Sequence, residues 1–259
     1  MPDDPTPASP SFLDRPDGAR IAYHKSEGKG PCVVFLPGFR SDMTGAKALA
    51  LEATCRERGQ AFLRFDYTGH GASSGEFVEG SIGEWSRDAI GALEALTEGP
   101  LVLVGSSMGG WIMLLAARAM PARIAGLVGI AAAPDFTEAL MWTNMSPELR
   151  AELTGQGVIY QPSDYDPEPT PITMRMIEDG RKHLVMGGPI ALDCPVRLIH
   201  GQRDADVPWQ WSERIADALA SEDVEITYVK AGDHRLSEPN DLRRLARVVA
   251  GLLDDLAEN

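Results

Sequence analysis

At 259 residues, with 44% hydrophobic and 24% charged side chains, the chain can build a sizeable core and is too ordinary in composition for disorder. Its formal net charge of -14 offers no basic footprint for nucleic acid and repels anionic membrane surfaces, so neither is expected as a partner. No apolar run approaches the roughly 18 residues of a membrane span, and the three cysteines, Cys32, Cys55 and Cys194, have no C-x-x-C spacing, against disulfide scaffolding or zinc.

The first ten residues read as a loose leader. Their acidic, proline-rich start, Met1-Pro2-Asp3-Asp4-Pro5, is the reverse of a signal or transit peptide, so a cytoplasmic location is expected. Phe12 to His24, turning at Arg15-Pro16-Asp17-Gly18, predicts an antiparallel hairpin. Strand Val33–Leu36 follows and ends at Pro37-Gly38; a helix runs from about Lys47 to Arg58. The alternation continues through strand Ala61–Phe65, helix Ile82–Leu96, strand Leu101–Val104, helix Trp111–Arg118 and strand Leu127–Ala131. It resumes with strand Val196–His200, helix Trp211–Leu219, strand Val224–Val229 and a closing helix Leu242–Leu256. Strands alternating with helices predict one α/β domain, a mostly parallel sheet of about eight strands covered on both faces.

Between residues 134 and 195 the rhythm breaks, with seven prolines from Pro147 to Pro195 and helical pieces at Pro147–Leu153 and Ile172–His183. An insertion of that length is expected to form a small helical lid over a site.

Gly105-Ser106-Ser107-Met108-Gly109 is a G-x-S-x-G set between a buried strand and a helix, the setting of a nucleophile elbow. Ser107 takes its tip, and Ser106 is read as packing or turn bonding. A serine hydroxyl needs a base, and the base an orienting acid, in the chain order Ser, Asp or Glu, His. His234, in Asp233-His234-Arg235 after strand Val224–Val229, is the expected base. The acid lies in Gly201-Gln202-Arg203-Asp204-Ala205-Asp206-Val207-Pro208. Asp204 is preferred on its spacing from Gly201 and Val207, and Asp206 is read as a helix-capping or solvent-facing aspartate. The remaining histidines, His24, His70, His183 and His200, fall in the hairpin, a turn, the lid and a strand end, and are read as structural. An oxyanion hole needs two backbone N–H donors, expected from Met108 and from Phe39 after Pro37-Gly38. Asp66-Tyr67-Thr68-Gly69-His70-Gly71-Ala72-Ser73 matches neither the Rossmann nor the P-loop spacing and reads as a turn at the rim of the site.

These motifs identify the chain as similar to α/β-hydrolase-fold serine hydrolases over about residues 20 to 256. More narrowly, Leu36-Pro37-Gly38, Lys47-Ala48-Leu49-Ala50, Arg64-Phe65-Asp66-Tyr67, Val104-Gly105-Ser106-Ser107-Met108-Gly109-Gly110-Trp111, His200-Gly201, Val207-Pro208-Trp209 and Asp233-His234-Arg235 resemble the mycophenolic acid acyl-glucuronyl esterase and palmitoyl-protein thioesterase family. The resemblance implies Ser107, Asp204 and His234 as triad, with neither cofactor nor metal, and a small-molecule ester or thioester as substrate. An acyltransferase, or a binding protein that keeps the fold without catalysis, is the competing reading; the complete Ser/Asp/His set disfavours the latter.

Phe136, Leu140, Met141, Trp142, Met145, Met174 and Met176 give the lid an apolar, methionine-rich character. Of these, Met141, Trp142, Met145 and Met176, with Arg40, are the expected substrate contacts, favouring short-to-medium or aromatic acyl groups over acetate. Arg40, or a lid base among Arg175, Arg181 and Lys182, is expected to meet an anionic leaving group.

Overall fold

The computed structural model describes residues 9–163 and 167–258, so most of the expected leader lies outside it. Among the described residues ten strands are formed: β1 (Ser11–Asp14), β2 (Arg20–Ser26), β3 (Lys29–Leu36), β4 (Gln60–Phe65), β5 (Leu101–Ser106), β6 (Ile124–Ile130), β7 (Val158–Gln161), β8 (Thr170–Thr173), β9 (Val196–Gly201) and β10 (Val224–Val229). The helices are α1 (Ala46–Glu57), α2 (Ile82–Leu96), α3 (Met108–Ala119), α4 (Pro147–Gln156), α5 (Met174–Gly180), α6 (Gln210–Ala218) and α7 (Pro239–Glu258).

Eight strands make one sheet in the order β1-β2-β4-β3-β5-β6-β9-β10. The β1–β2 and β2–β4 pairs are antiparallel and the rest parallel. β3 starts four residues before its predicted beginning, because Lys29 pairs with Gln60 ahead of a register shift at Val33. The Gln60 side chain holds that extension by donating to the Lys29 carbonyl at 3.0 Å.

Period-two alternation in the buried central strand β5 divides the core. Leu101 and Leu103 face a layer that includes Trp85 of α2, Trp111 of α3 and Trp211 of α6, whereas Val102 and Val104 face Leu51 of α1 and Val249 of α7. The α7 helix buries Leu245, Val249, Leu252 and Leu253, one stripe of a 3.6-residue repeat, and this keeps the sheet's second face dry. Among the described residues no helix is long and apolar enough to cross a membrane. The three cysteines stay thiols: burial raises Cys32 and Cys194 to about 11 and Cys55 to about 12.

The 134–195 segment corrects the expectation of a purely helical insertion. It opens with a π-helical turn over Thr137–Trp142, continues through α4, and then forms an antiparallel β7–β8 hairpin. The helix expected from Ile172 begins at Met174: Ile172 and Thr173 belong to β8, and the Thr173 hydroxyl caps α5 by accepting from Met176 N at 3.1 Å. Asp135, at a φ of 60°, accepts from the N–H groups of Val185 (2.8 Å) and Met186 (2.9 Å), tying the two ends of the segment together. Indole donors fasten it to the body: Trp111 to the His183 carbonyl at 3.0 Å and Trp211 to the Pro134 carbonyl at 3.1 Å.

Candidate active site

The turn from β5 into α3 is as tight as its glycines allow. A Cβ on Gly105 would lie 2.4 Å from the Gly109 carbonyl oxygen, on Gly109 2.1 Å from that of Leu36, and on Gly110 2.5 Å from Ala132 Cβ. Strand, helix and neighbouring loops therefore touch backbone to backbone, and Ser107 is forced to a φ of 53° and ψ of -118° at the crest. That strained conformation is held by Ser107 N donating to the Ile130 carbonyl (2.9 Å) and Ala133 N to the Ser107 carbonyl (3.1 Å).

The structure brings Ser107, His234 and Asp204 into one hydrogen-bonded line. The Ser107 hydroxyl lies 3.0 Å from His234 Nε2, and His234 Nδ1 donates to Asp204 Oδ2 at 2.7 Å. The Asp204 side chain is fully buried, and that of His234 is 15% exposed. The other carboxylate oxygen, Oδ1, accepts from the N–H groups of Asp206 (2.9 Å) and Val207 (2.8 Å). Burial alone would raise the Asp204 carboxyl, but the imidazole donors His200 and His234 and the Val207 N–H outweigh it and hold the group well below the usual carboxylate range. Asp206 is exposed, with its N–H on Asp204. Ligand atoms of Asp204, Asp206 and His234 lie within 4.8 Å of one another, but Asp204 and His234 Nδ1 are already spent on these hydrogen bonds. The arrangement fits proton transfer to and from a serine oxygen rather than metal ligation.

Ser107 and His234 open onto a cavity of about 470 Å³. Its lining combines apolar Phe39, Ala133, Phe136, Leu140 and Met141 with polar or charged Arg40, Ser41, Lys47, Asp206, Arg235 and Ser237. The Phe39 ring is seated against Phe77, Phe136 and Trp85 at centroid distances of 5.0, 5.8 and 6.1 Å. Met108 begins α3, so its N–H sits at the positive end of the helix. Gly38 packs against the elbow, 3.2 Å separating its notional Cβ from the Ser106 carbonyl oxygen, which sets the Phe39 backbone beside Ser107.

Of the expected substrate contacts, Met141 and Arg40 line the cavity; Trp142, Met145 and Met176 do not. Met145 and Met176 are buried in the core, where long apolar side chains of α5 and the π-helical turn meet the main body. Trp142 is partly buried against the core and meets the guanidinium groups of Arg150 (5.4 Å) and Arg181 (4.7 Å). The bases of the 134–195 segment are likewise engaged elsewhere: Arg175 with Glu79 and Glu84, Arg181 with Glu138, Lys182 with Asp179. The cations on the cavity wall that sequence reasoning missed are Lys47 and Arg235. Lys47 Nζ donates to the Arg235 carbonyl, and burial, then the Arg235 charge, lowers its ammonium to about 8. Their meeting across 188 positions of sequence left no local signal. The glycine-rich turn is structural, as expected: Asp66 accepts from Met43 N (2.6 Å) and Ala72 N (2.8 Å), and a Cβ on Gly71 would strike that carboxylate.

A mostly parallel sheet with a serine at such an elbow, facing a histidine from the loop after the last strand, defines a class of hydrolytic enzymes. The chain belongs to the alpha/beta hydrolase family, which matches residues 33–248, and it is a hydrolase. It is 40% identical over 248 residues to the Homo sapiens protein named palmitoyl-protein thioesterase ABHD10, mitochondrial, covering 95% of this chain and 81% of that one. Among solved structures it is similar to alpha/beta hydrolase domain-containing protein 10 from mouse, with a TM-score of 0.90, 41% identity, and 96% and 100% of the two chains covered. It is also similar to a putative hydrolase from Agrobacterium vitis S4, with a TM-score of 0.89, 38% identity, and 95% and 97% covered.

Proposed function

We propose that the chain cleaves carboxylic esters or thioesters through an acyl-enzyme on Ser107. The observation that carries this reading is the unbroken line from Ser107 Oγ through His234 to Asp204, 3.0 and 2.7 Å in its two links, at the wall of a partly apolar cavity. His234 Nε2 takes the serine proton as Oγ attacks the carbonyl carbon, and returns it to the departing alkoxide or thiolate as the C–O or C–S bond breaks. Water then repeats the sequence: His234 removes its proton, the acid leaves, and Ser107 regains its hydrogen. Asp204 holds the imidazole with Nδ1 protonated and offsets its charge while it is an imidazolium. The Phe39 and Met108 N–H groups receive the developing oxyanion, with the helix end behind Met108 adding to the field.

The mixed lining of the cavity suits an acyl group against Phe136, Leu140 and Met141 and a polar leaving group toward Lys47 and Arg235. The 134–195 segment serves as the cap that brings the apolar residues to the site. The relatives named palmitoyl-protein thioesterase, mitochondrial, extend the candidate substrates to long-chain thioesters and set a mitochondrial location beside the cytoplasmic one. The reading is tested with p-nitrophenyl esters from acetyl to octanoyl alongside acyl-CoA and palmitoyl thioesters. It predicts kcat/KM rising beyond acetyl; a steady fall from acetyl to octanoyl would exclude the apolar acyl side. A carboxylate-bearing leaving group should show a lower KM than its neutral counterpart, and Lys47→Ala should remove the difference.

A further inference from the structure

His200, the penultimate residue of β9, is a fully buried imidazole. Three polar atoms surround its ring. Ser212 Oγ lies 2.8 Å from Nδ1, while Asp204 Oδ2 and the Val207 carbonyl oxygen lie 3.2 and 3.1 Å from Nε2. Both neighbours of Nε2 can only accept, so the network assigns the proton to Nε2 and leaves Nδ1 as the acceptor for the Ser212 hydroxyl. Asp204 Oδ2 thus receives two imidazole N–H donors, from His234 at 2.7 Å and from His200 at 3.2 Å.

We propose that His200 is a positioning residue of the hydrolytic centre, donating to the same carboxylate oxygen that orients His234. The inference rests on the triad reading above. With Oδ1 held by the Asp206 and Val207 N–H groups and Oδ2 by two imidazoles, Asp204 has a donor in every lone-pair direction and cannot turn away from His234. His200 also takes part of the negative charge that would otherwise fall wholly on His234. Removing the His200 donor therefore has two consequences: a looser acid, and a stronger pull on the His234 proton. The second distinguishes a role in the centre from simple filling of the core. The groups facing His200 are few. Asp204 and Ser212 touch it, His234 lies beyond Asp204, and its register partner on β10 is Tyr228, whose phenol burial, then Glu213, raises to about 12. From β6, apolar Ile130 and Ala131 lie alongside.

The experiment compares kcat and kcat/KM against pH for wild type, His200→Leu, His200→Gln and Ser212→Ala on a p-nitrophenyl ester, with melting curves to establish folding. Loss of one hydrogen bond to a charged acceptor should lower kcat in His200→Leu by roughly 10- to 100-fold with little change in KM. The acid limb of its profile should move to higher pH by about half a unit or more, since a tenfold change in relative stabilisation corresponds to one unit. His200→Gln, which keeps an N–H donor, should recover most of kcat and the wild-type limb. Should the leucine variant fail to fold, Ser212→Ala serves, because without the hydroxyl on Nδ1 the ring is less polarised and its Nε2–H is a weaker donor to Asp204; its limb should move the same way by less. An unmoved acid limb in folded His200→Leu, or in Ser212→Ala where the leucine variant does not fold, overturns the proposal even if kcat drops. If wild type turns over the ester and reacts with a fluorophosphonate while the limbs stay fixed, only the role of His200 is lost. If wild type does neither, the triad reading falls with it.

Discussion

Adding one methyl group at Gly109 puts the geometry of the elbow under direct strain. In Gly109→Ala the new Cβ would lie 2.1 Å from the Leu36 carbonyl oxygen and 2.6 Å from that of Pro37, where ordinary contact begins at 3.4 Å. Both partners are backbone, so no side chain can swing aside; helix α3 and the end of β3 must separate by roughly 1 Å. Overpacking of this kind costs about 1–3 kcal/mol, which for a chain of this size lowers Tm by about 2–4 °C per kcal/mol. The larger effect falls on rate. The loop that has to move carries Gly38 and Phe39, so the two N–H donors proposed for the oxyanion are pushed apart, and a misplacement near 1 Å costs on the order of 10²-fold in kcat. Gly91→Ala is the control. It lies inside α2 with nothing within 4 Å of its notional Cβ, so alanine there should add about 0.5–1 kcal/mol of stability and leave turnover unchanged. Steady-state kinetics and thermal melts of the two variants test the reasoning together. A Gly109→Ala protein with wild-type kcat and Tm would refute the close backbone approach on which the elbow depends.

Asp204→Asn should lower kcat by about 10³–10⁴-fold by favouring the wrong imidazole tautomer, and Asp206→Asn far less; reversed kinetics would transfer the orienting role to Asp206. Because the folded state depresses Asp204, its contribution to stability is present in full above the ordinary carboxylate range, near pH 4, and is lost as pH falls below it. Denaturant melts between pH 6 and pH 3 should therefore fall less steeply for Asp204→Asn than for wild type; parallel curves would contradict this. Asp135→Asn, which weakens the clamp on Val185 and Met186, should speed limited proteolysis within the 134–195 segment by about tenfold, the effect of losing one hydrogen bond to a charged acceptor, with a small change in global Tm. Equal cleavage rates would show that the clamp does not hold the segment.

The residues that announced themselves in the sequence are those whose constraints are local. Gly105, Gly109 and Gly110 are required by contacts of 2.4, 2.1 and 2.5 Å, and their spacing around Ser107 is visible in six consecutive positions. The strands of the central sheet are legible for the same reason: β5 is buried along its whole length and opens with the apolar run Leu101–Val104, and β9, equally buried, keeps Val196, Leu198 and Ile199 around Arg197. What could not be read is set by distant register. The first four residues of β3 look like a turn until Lys29 meets Gln60. The β7–β8 hairpin has strands of four residues, one holding Pro171, too short for a periodic signal and resembling a proline-rich loop. His200 and Lys47 lie in segments that carry the family resemblance, but nothing local there shows a part in the site. One is recognised by Ser212 and Asp204 around its ring, the other by the carbonyl of Arg235. Two of the three methionines expected at the site, Met145 and Met176, lie in the core for a related reason, whereas Met141 lines the cavity. An apolar side chain in an insertion can face a cavity or the core, and the fastening of the segment by Trp111 and Trp211 turns Met145 and Met176 toward the core.

The central claim is that Ser107 carries the acyl group, and mass spectrometry of the protein after reaction with a fluorophosphonate or a slow ester tests it most directly. The account predicts a single adduct on the peptide containing Ser107, its loss in Ser107→Ala, and a fall in kcat of about 10⁴–10⁶-fold in that variant with folding intact. An adduct that persists in Ser107→Ala, or near-wild-type turnover by that variant while Ser106→Ala is inactive, would contradict it.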